Sequence, residues 1–188
     1  MSLDINLSFE QVEKEISEST NRPETGKNKK NLSIEYEIIE VLGKLSDGKN
    51  PPILAIVKWG DLIRYDLRKW NDDMTKPFKG ISFEEKEIDS ILSLSNFTID
   101  DSVEYIARYS GEKANASIYK NLSILSEDGK DGGWKKEVNV VDWGYGKKID
   151  FRKWANNYTK CGKGISITAA EFENMLAILN KKRNGING

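Results

Sequence analysis

The chain has 188 residues with 29 basic and 30 acidic side chains, and 38% of its residues are hydrophobic. It contains no histidine and one cysteine, Cys161, which excludes histidine-based acid–base catalysis, an intrachain disulfide and cysteine-rich zinc sites. The longest apolar run, Ile53–Val57, is far shorter than the roughly 18 residues that a membrane span needs. We therefore expect a cytoplasmic protein that is not an enzyme and that uses no metal or cofactor.

The near-zero net charge conceals segments of opposite sign. Residues 1–20 have a balance of −4 and residues 84–112 a balance of −6, whereas residues 130–164 have a balance of +5. Such segregation can give a protein one basic and one acidic surface. At the start of the chain, residues 1–31 are predicted to be an acidic segment with a helix over Ser8–Ser17, ending in a flexible linker over Asn21–Asn31.

An internal repeat with an offset of 84 residues organises the rest of the chain. Trp59–Leu92 and Trp143–Leu176 align without a gap and are identical at 14 of 34 positions. Chance does not produce this agreement, so the chain is a tandem duplication of one supersecondary unit.

Each copy begins with two strand-like stretches. They are Leu32–Leu42 and Ile53–Trp59 in the first copy, and Ser117–Ser126 and Lys135–Trp143 in the second. A third strand follows and alternates with a period of two, which is typical of an antiparallel strand with one buried face. Its polar face comprises Arg64, Asp66, Arg68 and Trp70 in the first copy, and Lys148, Asp150, Arg152 and Trp154 in the second.

A helix ends each copy, after a fourth strand that contains Gly-Ile-Ser. Thr168 and Glu171 form a predicted capping box in the second copy, and the first copy has a weaker start at Glu84. The apolar residues that follow have helical spacing and are predicted to be core or the contact between repeats; in the second copy they are Phe172, Met175, Leu176 and Leu179.

The predicted fold class is α+β. It consists of two tandem β-β-β-β-α units, each a curved antiparallel sheet with a helix on one face and the other face open, packed as an intramolecular pseudo-dimer. The units are predicted at residues 32–95 and 117–182. A linker over 96–116 contains a short helix around Ser102–Tyr109, and residues 183–188 form a tail.

The predicted open face combines tryptophan, arginine and lysine, which suits single-stranded nucleic acid. Bases stack on aromatic rings, while lysine and arginine neutralise the phosphates. Stacking and phosphate contacts do not separate DNA from RNA unless a 2′-hydroxyl is read, so RNA is an alternative ligand. A protein-interaction scaffold without a nucleic-acid ligand is a further alternative.

The order of motifs in each copy resembles one known family. A strand ending in tryptophan is followed by Asp-hydrophobic-Arg-Lys-Trp at Asp66–Trp70 and Asp150–Trp154. Then come Lys-x-x-Lys-Gly-Ile-Ser, at Lys76–Ser82 and Lys160–Ser166, and a helix. This order resembles the transcriptional coactivator Positive Cofactor 4 family. The second copy, with its strand over Gly133–Val138, is especially similar to the compact bacterial members.

The resemblance covers about residues 32–95 and 117–182. It implies single-stranded DNA binding across curved sheets, a role in transcription or DNA maintenance, and a nucleoid association if the source is prokaryotic. Family members are homodimers, so this chain with two copies is expected to be a monomeric pseudo-dimer or a homodimer of it.

The resemblance assigns nucleic-acid contacts to the tryptophan that ends the second strand, to the third-strand arginine and to the loop lysines. These residues are Trp59, Trp143, Arg68, Arg152, Lys76, Lys79, Lys160 and Lys163. Charge and position add Arg64, Lys69, Lys148 and Lys153.

Other residues near these positions have structural interpretations. Asp66 and Asp150 are expected to orient the neighbouring arginines rather than contact DNA. Gly80 and Gly164 are expected to permit a bulge or turn. Trp70 and Trp154 either anchor the strand end against the helix or stack on bases.

Overall fold

A computed structural model describes residues 36–47, 49–71, 76–100, 103–128 and 133–186. The helix predicted over Ser8–Ser17 and the linker predicted over Asn21–Asn31 lie outside these residues. No helix in the described part of the chain has both the length and the apolar character needed to cross a membrane.

The first unit is a four-stranded antiparallel sheet followed by a helix. Its elements are β1 (Tyr36–Lys44), β2 (Pro52–Trp59), β3 (Leu62–Trp70), β4 (Pro77–Phe83) and α1 (Glu85–Leu92). The strands are hydrogen-bonded in chain order, β1-β2-β3-β4. β3 shows the predicted alternation, because Tyr65 and Leu67 lie in the core and Asp66 and Arg68 point to the opposite face, where they are paired.

The second unit repeats this pattern and adds one strand at its start. Its elements are β5 (Ala107–Ser110), β6 (Asn115–Glu127), β7 (Trp134–Asp142), β8 (Lys147–Ala155), β9 (Cys161–Ile167) and α2 (Ala169–Ile186). A short 3-10 helix, Asn156–Tyr158, connects β8 to β9. The five strands are hydrogen-bonded in chain order. With two antiparallel sheets and two α-helices among the described residues, the predicted α+β class is confirmed.

β5 corrects two predictions. The short helix around Ser102–Tyr109 is wrong, because Ala107–Ser110 is a strand paired antiparallel with the start of β6. Its side chains alternate between half-buried Ala107 and Tyr109 and exposed Arg108 and Ser110. Packing of Tyr109 against two tryptophan rings holds this strand on the sheet. The second unit therefore begins within the predicted linker, and it also continues into the predicted tail because α2 extends to Ile186.

Both helices begin at side-chain caps. Thr168 Oγ1 accepts a hydrogen bond from the Glu171 backbone N–H, and a Glu171 carboxylate oxygen accepts one from the Thr168 N–H. The capping box predicted for α2 is confirmed. Glu84 and Glu87 form the corresponding reciprocal cap of α1.

One apolar core contains residues of both sheets and both helices. The apolar stripe predicted on α2 is confirmed as core, since Phe172, Met175, Leu176 and Leu179 are all buried in it. Phe83 of β4 and Phe151 of β8 meet edge to face, with ring centroids 5.5 Å apart. β4 lies beside β9 and α1 beside α2, so equivalent elements of the repeat are neighbours across the contact between the units.

Polar contacts between the units involve equivalent glutamates. Lys136 of β7 donates from Nζ to Glu87 Oε2 on α1 at 2.9 Å and to the Ser82 carbonyl at 3.1 Å. Ser46, which follows β1, donates from Oγ to Glu171 Oε1 on α2 at 2.9 Å. Glu87 and Glu171 occupy the same position of the repeat, so each helix receives a donor from the other unit.

Candidate nucleic-acid interface

A buried cluster of three side chains lies at the centre of the second sheet. Asp150 and Arg152 are two residues apart on β8 and share a face, and Ser166 of β9 is directly opposite Asp150. The Asp150 carboxylate accepts hydrogen bonds from Arg152 Nε at 2.9 Å, Arg152 Nη2 at 3.1 Å and Ser166 Oγ at 2.6 Å. We call these three residues the Asp150 cluster. Because Arg152 Nη1 also donates to the Gly162 carbonyl at 2.9 Å, the guanidinium is held on both sides.

The electrostatics of the Asp150 cluster keep the arginine charged. Burial by itself would lower the pKa of Arg152. The Asp150 carboxylate and its hydrogen bonds outweigh that effect, so the pKa is raised. The prediction that Asp150 orients Arg152 is confirmed.

The first sheet contains an equivalent Asp66 cluster, formed by Asp66, Arg68 and Ser82. Asp66 accepts hydrogen bonds from Arg68 Nη2 at 2.8 Å and from Ser82 Oγ at 2.7 Å, and Arg68 Nη1 donates to the Phe78 carbonyl at 3.2 Å. Asp66 is buried, as Asp150 is. The predicted orientation of Arg68 by Asp66 is therefore also confirmed.

Two glycines permit the close approach of the strands that carry these clusters. Gly80 is opposite Arg68, and Gly164 is opposite Arg152. A Cβ at Gly80 would collide with the Arg68 side chain and lie 2.6 Å from the Leu67 carbonyl oxygen, and one at Gly164 would collide with the Phe151 carbonyl oxygen. A break in the strand register follows Arg68 and Arg152, as expected for a bulge. The glycines are needed for this approach, since neither has a positive φ.

The tryptophans predicted to stack on bases are engaged within the protein. In the second unit the Arg152 guanidinium carbon is 4.7 Å from the Trp143 ring centroid. The Trp143 ring also stacks on Trp154 with centroids 6.1 Å apart and planes at 15°. In the first unit, Trp59 contacts Tyr36 edge to face at 4.2 Å and lies under Arg68 at 5.6 Å. Trp59 and Trp143 are each half-buried.

The two interpretations of Trp70 and Trp154 are replaced by a third arrangement. Both side chains are buried, with 3% and 1% of their surface exposed, so neither offers a free face to a base. Trp154 belongs to a separate apolar cluster with Ala116, Ile118 and Val141, all from strands of its own sheet. It therefore anchors the end of β8 within the sheet rather than against a helix.

The face predicted to be open is closed at its centre. Val57 of β2 and Val141 of β7 are completely buried there, as is Asn139. Large aromatic and arginine side chains cover the middle of each sheet because the polar strand face directs them over their neighbours. What remains accessible is the rim around the β3–β4 and β8–β9 connections.

The predicted lysines lie along that rim. Five of them are exposed and the sixth, Lys153, is half-buried. We call this set the rim lysines: Lys69, Lys76 and Lys79 in the first unit, and Lys153, Lys160 and Lys163 in the second. The structure places them in corresponding positions of the two sheets.

Arg64 and Lys148 lie at the other end of their strands. Arg64 pairs with Glu84 at 3.4 Å. The pKa of Glu84 is lowered, mainly by a hydrogen bond from Lys86 and, against the effect of burial, by the charge of Arg64. In the second unit Thr168 occupies the position of Glu84, and Lys148 is half-buried.

A buried polar network in the second unit was not predicted. Asn121 donates to Asn139 at 2.8 Å, and Asn139 donates to Glu137 at 2.8 Å. Burial, followed by the charge and hydrogen bond of Glu137, raises the pKa of Tyr158. The signal in the sequence was Glu137 and Asn139 on the same strand face as Val141, where the first unit has Ile53 and Ala55.

One comparison with known proteins gives a relative. An uncharacterized protein of Treponema pallidum (strain Nichols) is 34% identical to this chain over 64 residues. The aligned region covers 34% of this chain and 73% of that protein. This chain belongs to the same family as the Treponema protein. No family model matches the chain, and no solved structure matches it at a significant level.

The length of that relative is informative. Since 64 residues are 73% of it, the Treponema protein has about 88 residues. This length is close to the 84-residue offset of the internal repeat, so the relative is about as long as one unit.

Proposed function

We propose that the chain is a non-enzymatic single-stranded DNA-binding protein with little sequence preference, acting in transcription regulation or DNA maintenance. The observation that carries the proposal is the duplicated rim of exposed lysines, with Lys76 and Lys79 in one unit and Lys160 and Lys163 in the other. Lysines on a flexible single strand neutralise phosphates without reading base edges. Two equivalent rims would give one strand two sites of the same kind.

In this proposal, the buried arginines shape the rim and do not contact the nucleic acid. Arg152 donates to Asp150 and to the Gly162 carbonyl, and Arg68 donates to Asp66 and to the Phe78 carbonyl. Both carbonyls belong to the strand that carries the rim lysines Lys79 and Lys163. The arginines therefore fix the backbone from which those lysines extend, which reduces the ordering cost of binding.

The proposal includes an intramolecular pseudo-dimer. It is supported by the reciprocal contacts of Glu87 and Glu171, by the neighbouring positions of β4 and β9, and by a relative about as long as one unit. A chain that supplies both halves needs no second copy. Light scattering at micromolar concentration should give the monomer mass of 21.4 kDa, and twice that mass would favour the homodimer.

A titration with dT oligonucleotides tests the proposed ligand. Fluorescence anisotropy should show binding that weakens with salt, with a slope of log K against log salt of about −0.7 per phosphate contact, or about −3 for four contacts. A variant with Lys76, Lys79, Lys160 and Lys163 changed to alanine should bind weakly and give a slope near zero. No binding of the unmodified protein at 50 mM salt would overturn the proposal, and tighter binding of oligo-U than of oligo-dT would favour RNA.

A protein-interaction scaffold is the second candidate, and an exposed strand edge favours it. β1 is the outer strand of the first sheet among the described residues. Ile39 and Val41 on β1 are about half exposed, and an apolar edge strand is a template for pairing with another polypeptide. Loss of a protein partner in the Ile39→Lys variant, with oligonucleotide binding unchanged, would support this role.

A further inference from the structure

Tyr145 is the most exposed of the large hydrophobic side chains in the described part of the chain, with 86% of its surface accessible. It lies at the tip of the turn between β7 and β8, and neither the repeat nor the family resemblance singled it out. An aromatic ring this exposed has no packing role in the monomer. Its surroundings therefore decide what it could bind.

The backbone of this turn is fixed by local interactions. Asp142 Oδ1 accepts hydrogen bonds from the Gly144 N–H at 2.6 Å and from the Tyr145 N–H at 2.9 Å. Gly144 and Gly146, on either side of Tyr145, have φ values of +94° and +86°, which strongly favour glycine. The ring is therefore presented from a defined turn, and binding it costs little backbone ordering.

Two lysines follow Tyr145 at the start of β8. Lys147 is positioned over the Tyr119 ring, 4.9 Å from its centroid, and its ammonium donates to the Asp100 carbonyl at 3.4 Å. Lys148 is half-buried beside it. An exposed π-face next to ordered cations is the combination that binds one base and its phosphates in a single strand.

The equivalent turn of the first unit lacks this combination. Asp61 stands where the second unit has Tyr145, and Ile63 stands where it has Lys147. Asp61 is exposed, so a carboxylate is presented at that tip. This difference provides a reciprocal experiment within one chain.

We propose that Tyr145 is a base-stacking platform for single-stranded nucleic acid, with Lys147 and Lys148 contacting the adjacent phosphates. The inference rests on the proposed function and assigns the stacking contact to Tyr145, since Arg152 and Trp154 already contact the Trp143 ring. Only one of the two units has this platform, so a bound strand has a preferred end.

The test combines the Tyr145→Ala variant with two 15-residue ligands, dT and an all-abasic oligomer of the same length. Loss of one stacked base should weaken dT binding by about 5- to 150-fold. Abasic binding should not change, because the abasic oligomer has no base to stack. The salt slope should also stay the same, since no charge is removed. Tyr145→Phe should keep full affinity, and Tyr105→Ala, which removes another exposed tyrosine, should have no effect.

The outcomes separate this inference from the proposed function. If the unmodified protein does not bind dT, the proposed function fails. If it binds dT and Tyr145→Ala binds equally well, the platform is wrong while the proposed function stands. An equal loss on dT and abasic ligands would overturn stacking, because it would show a structural effect. The Asp61→Tyr variant should bind dT more tightly than the unmodified protein, and weaker binding would contradict the assignment.

Discussion

The two units build the same buried charge cluster within different surroundings. Asp66 and Asp150 each accept hydrogen bonds from an arginine and a serine on the same sheet face. On the neighbouring strand the first unit places apolar Ile53 beside this cluster, whereas the second places Glu137, which is also buried. The repeated part is therefore the part that a buried carboxylate requires, since it must be paired wherever it occurs.

The tryptophans next to the clusters differ in the same way. Trp143 Nε1 donates to Asp150 Oδ2 at 3.3 Å, so the second cluster gains a fourth member. Trp59 Nε1 in the first unit is buried without a hydrogen-bond partner among the described residues. In the second unit, Tyr109 of β5 also packs on Trp143 and Trp154. The second sheet is thus the more completely bonded of the two, and it should depend more strongly on its carboxylate.

The largest expected effect is on stability when that carboxylate is removed. Asp150→Ala leaves the Arg152 charge buried and unpaired, and it should cost about 3–5 kcal/mol in the free energy of unfolding. Asp66→Ala should cost less, because Trp59 makes no hydrogen bond to Asp66. Urea unfolding measures both.

A double variant serves as the control for this comparison. Arg152→Leu added to Asp150→Ala removes the unpaired charge and should restore part of the stability. A greater loss for Asp66→Ala than for Asp150→Ala would show that the extra bond from Trp143 does not strengthen the second cluster.

The next effect concerns the unequal contacts between the units. Lys136 pairs with Glu87, which is 1% exposed, so Lys136→Met should cost about 3 kcal/mol by leaving that carboxylate without a counter-charge. Ser46→Ala removes the equivalent contact to half-buried Glu171 and should cost about 1 kcal/mol. Urea unfolding at neutral pH compares them. The double change Lys136→Met with Glu87→Leu should be milder than Lys136→Met alone, and equal losses for Lys136→Met and Ser46→Ala would contradict this interpretation.

Binding should also differ between the two rims. The connection after β3 contains Asp72 and Asp73, whereas the one after β8 has Asn156 and Asn157 at the matching positions. Carboxylates near a phosphate track repel it, so the rim lysines of the second unit should contribute more to binding.

Paired alanine variants measure this difference. Lys160→Ala with Lys163→Ala should weaken dT binding by about 5-fold per lysine at 0.1 M salt. Lys76→Ala with Lys79→Ala should weaken it less. Anisotropy at fixed salt compares the two variants. Equal losses would indicate symmetric rims, and a greater loss from the first unit would show that the adjacent carboxylates do not matter.

Much of the fold could be predicted because the two copies constrain each other. The alternation of β3 and β8, the capping box at Thr168 and the apolar stripe of α2 are local patterns whose meaning does not depend on distant residues. β5 escaped prediction because it has only four residues and depends on Tyr109 reaching Trp143 and Trp154, a contact that local propensity does not encode.

The candidate site was predicted in position but not in exposure. A period of two correctly placed Arg152 and Trp154 on one strand face. It could not show that Arg152 would lie over the Trp143 ring or that Trp154 would be almost completely buried. Tyr145 was missed for the opposite reason, because a tyrosine in a glycine-rich turn belongs to no periodic pattern.

The smallest expected effect compares two buried tyrosines. Burial, and then the charge of Asp66, raises the pKa of Tyr36 above its ordinary value of 10.0. The folded state therefore holds the proton more tightly than the unfolded state. The resulting stabilisation is complete below pH 10 and is lost as the pH rises above it. Tyr36→Phe should remove this alkaline loss.

At neutral pH the Tyr36 and Tyr158 substitutions should differ in sign. The Tyr36 hydroxyl is buried without a partner among the described residues, so Tyr36→Phe should leave stability unchanged or raise it by up to about 1 kcal/mol. Tyr158→Phe should lower it by about 1 kcal/mol, because buried Glu137 loses a hydrogen-bond donor. Urea unfolding at pH 7 and pH 10.5 measures both effects. A destabilising Tyr36→Phe at pH 7 would mean that its hydroxyl has a partner, and the two units would then be equally well bonded at this position.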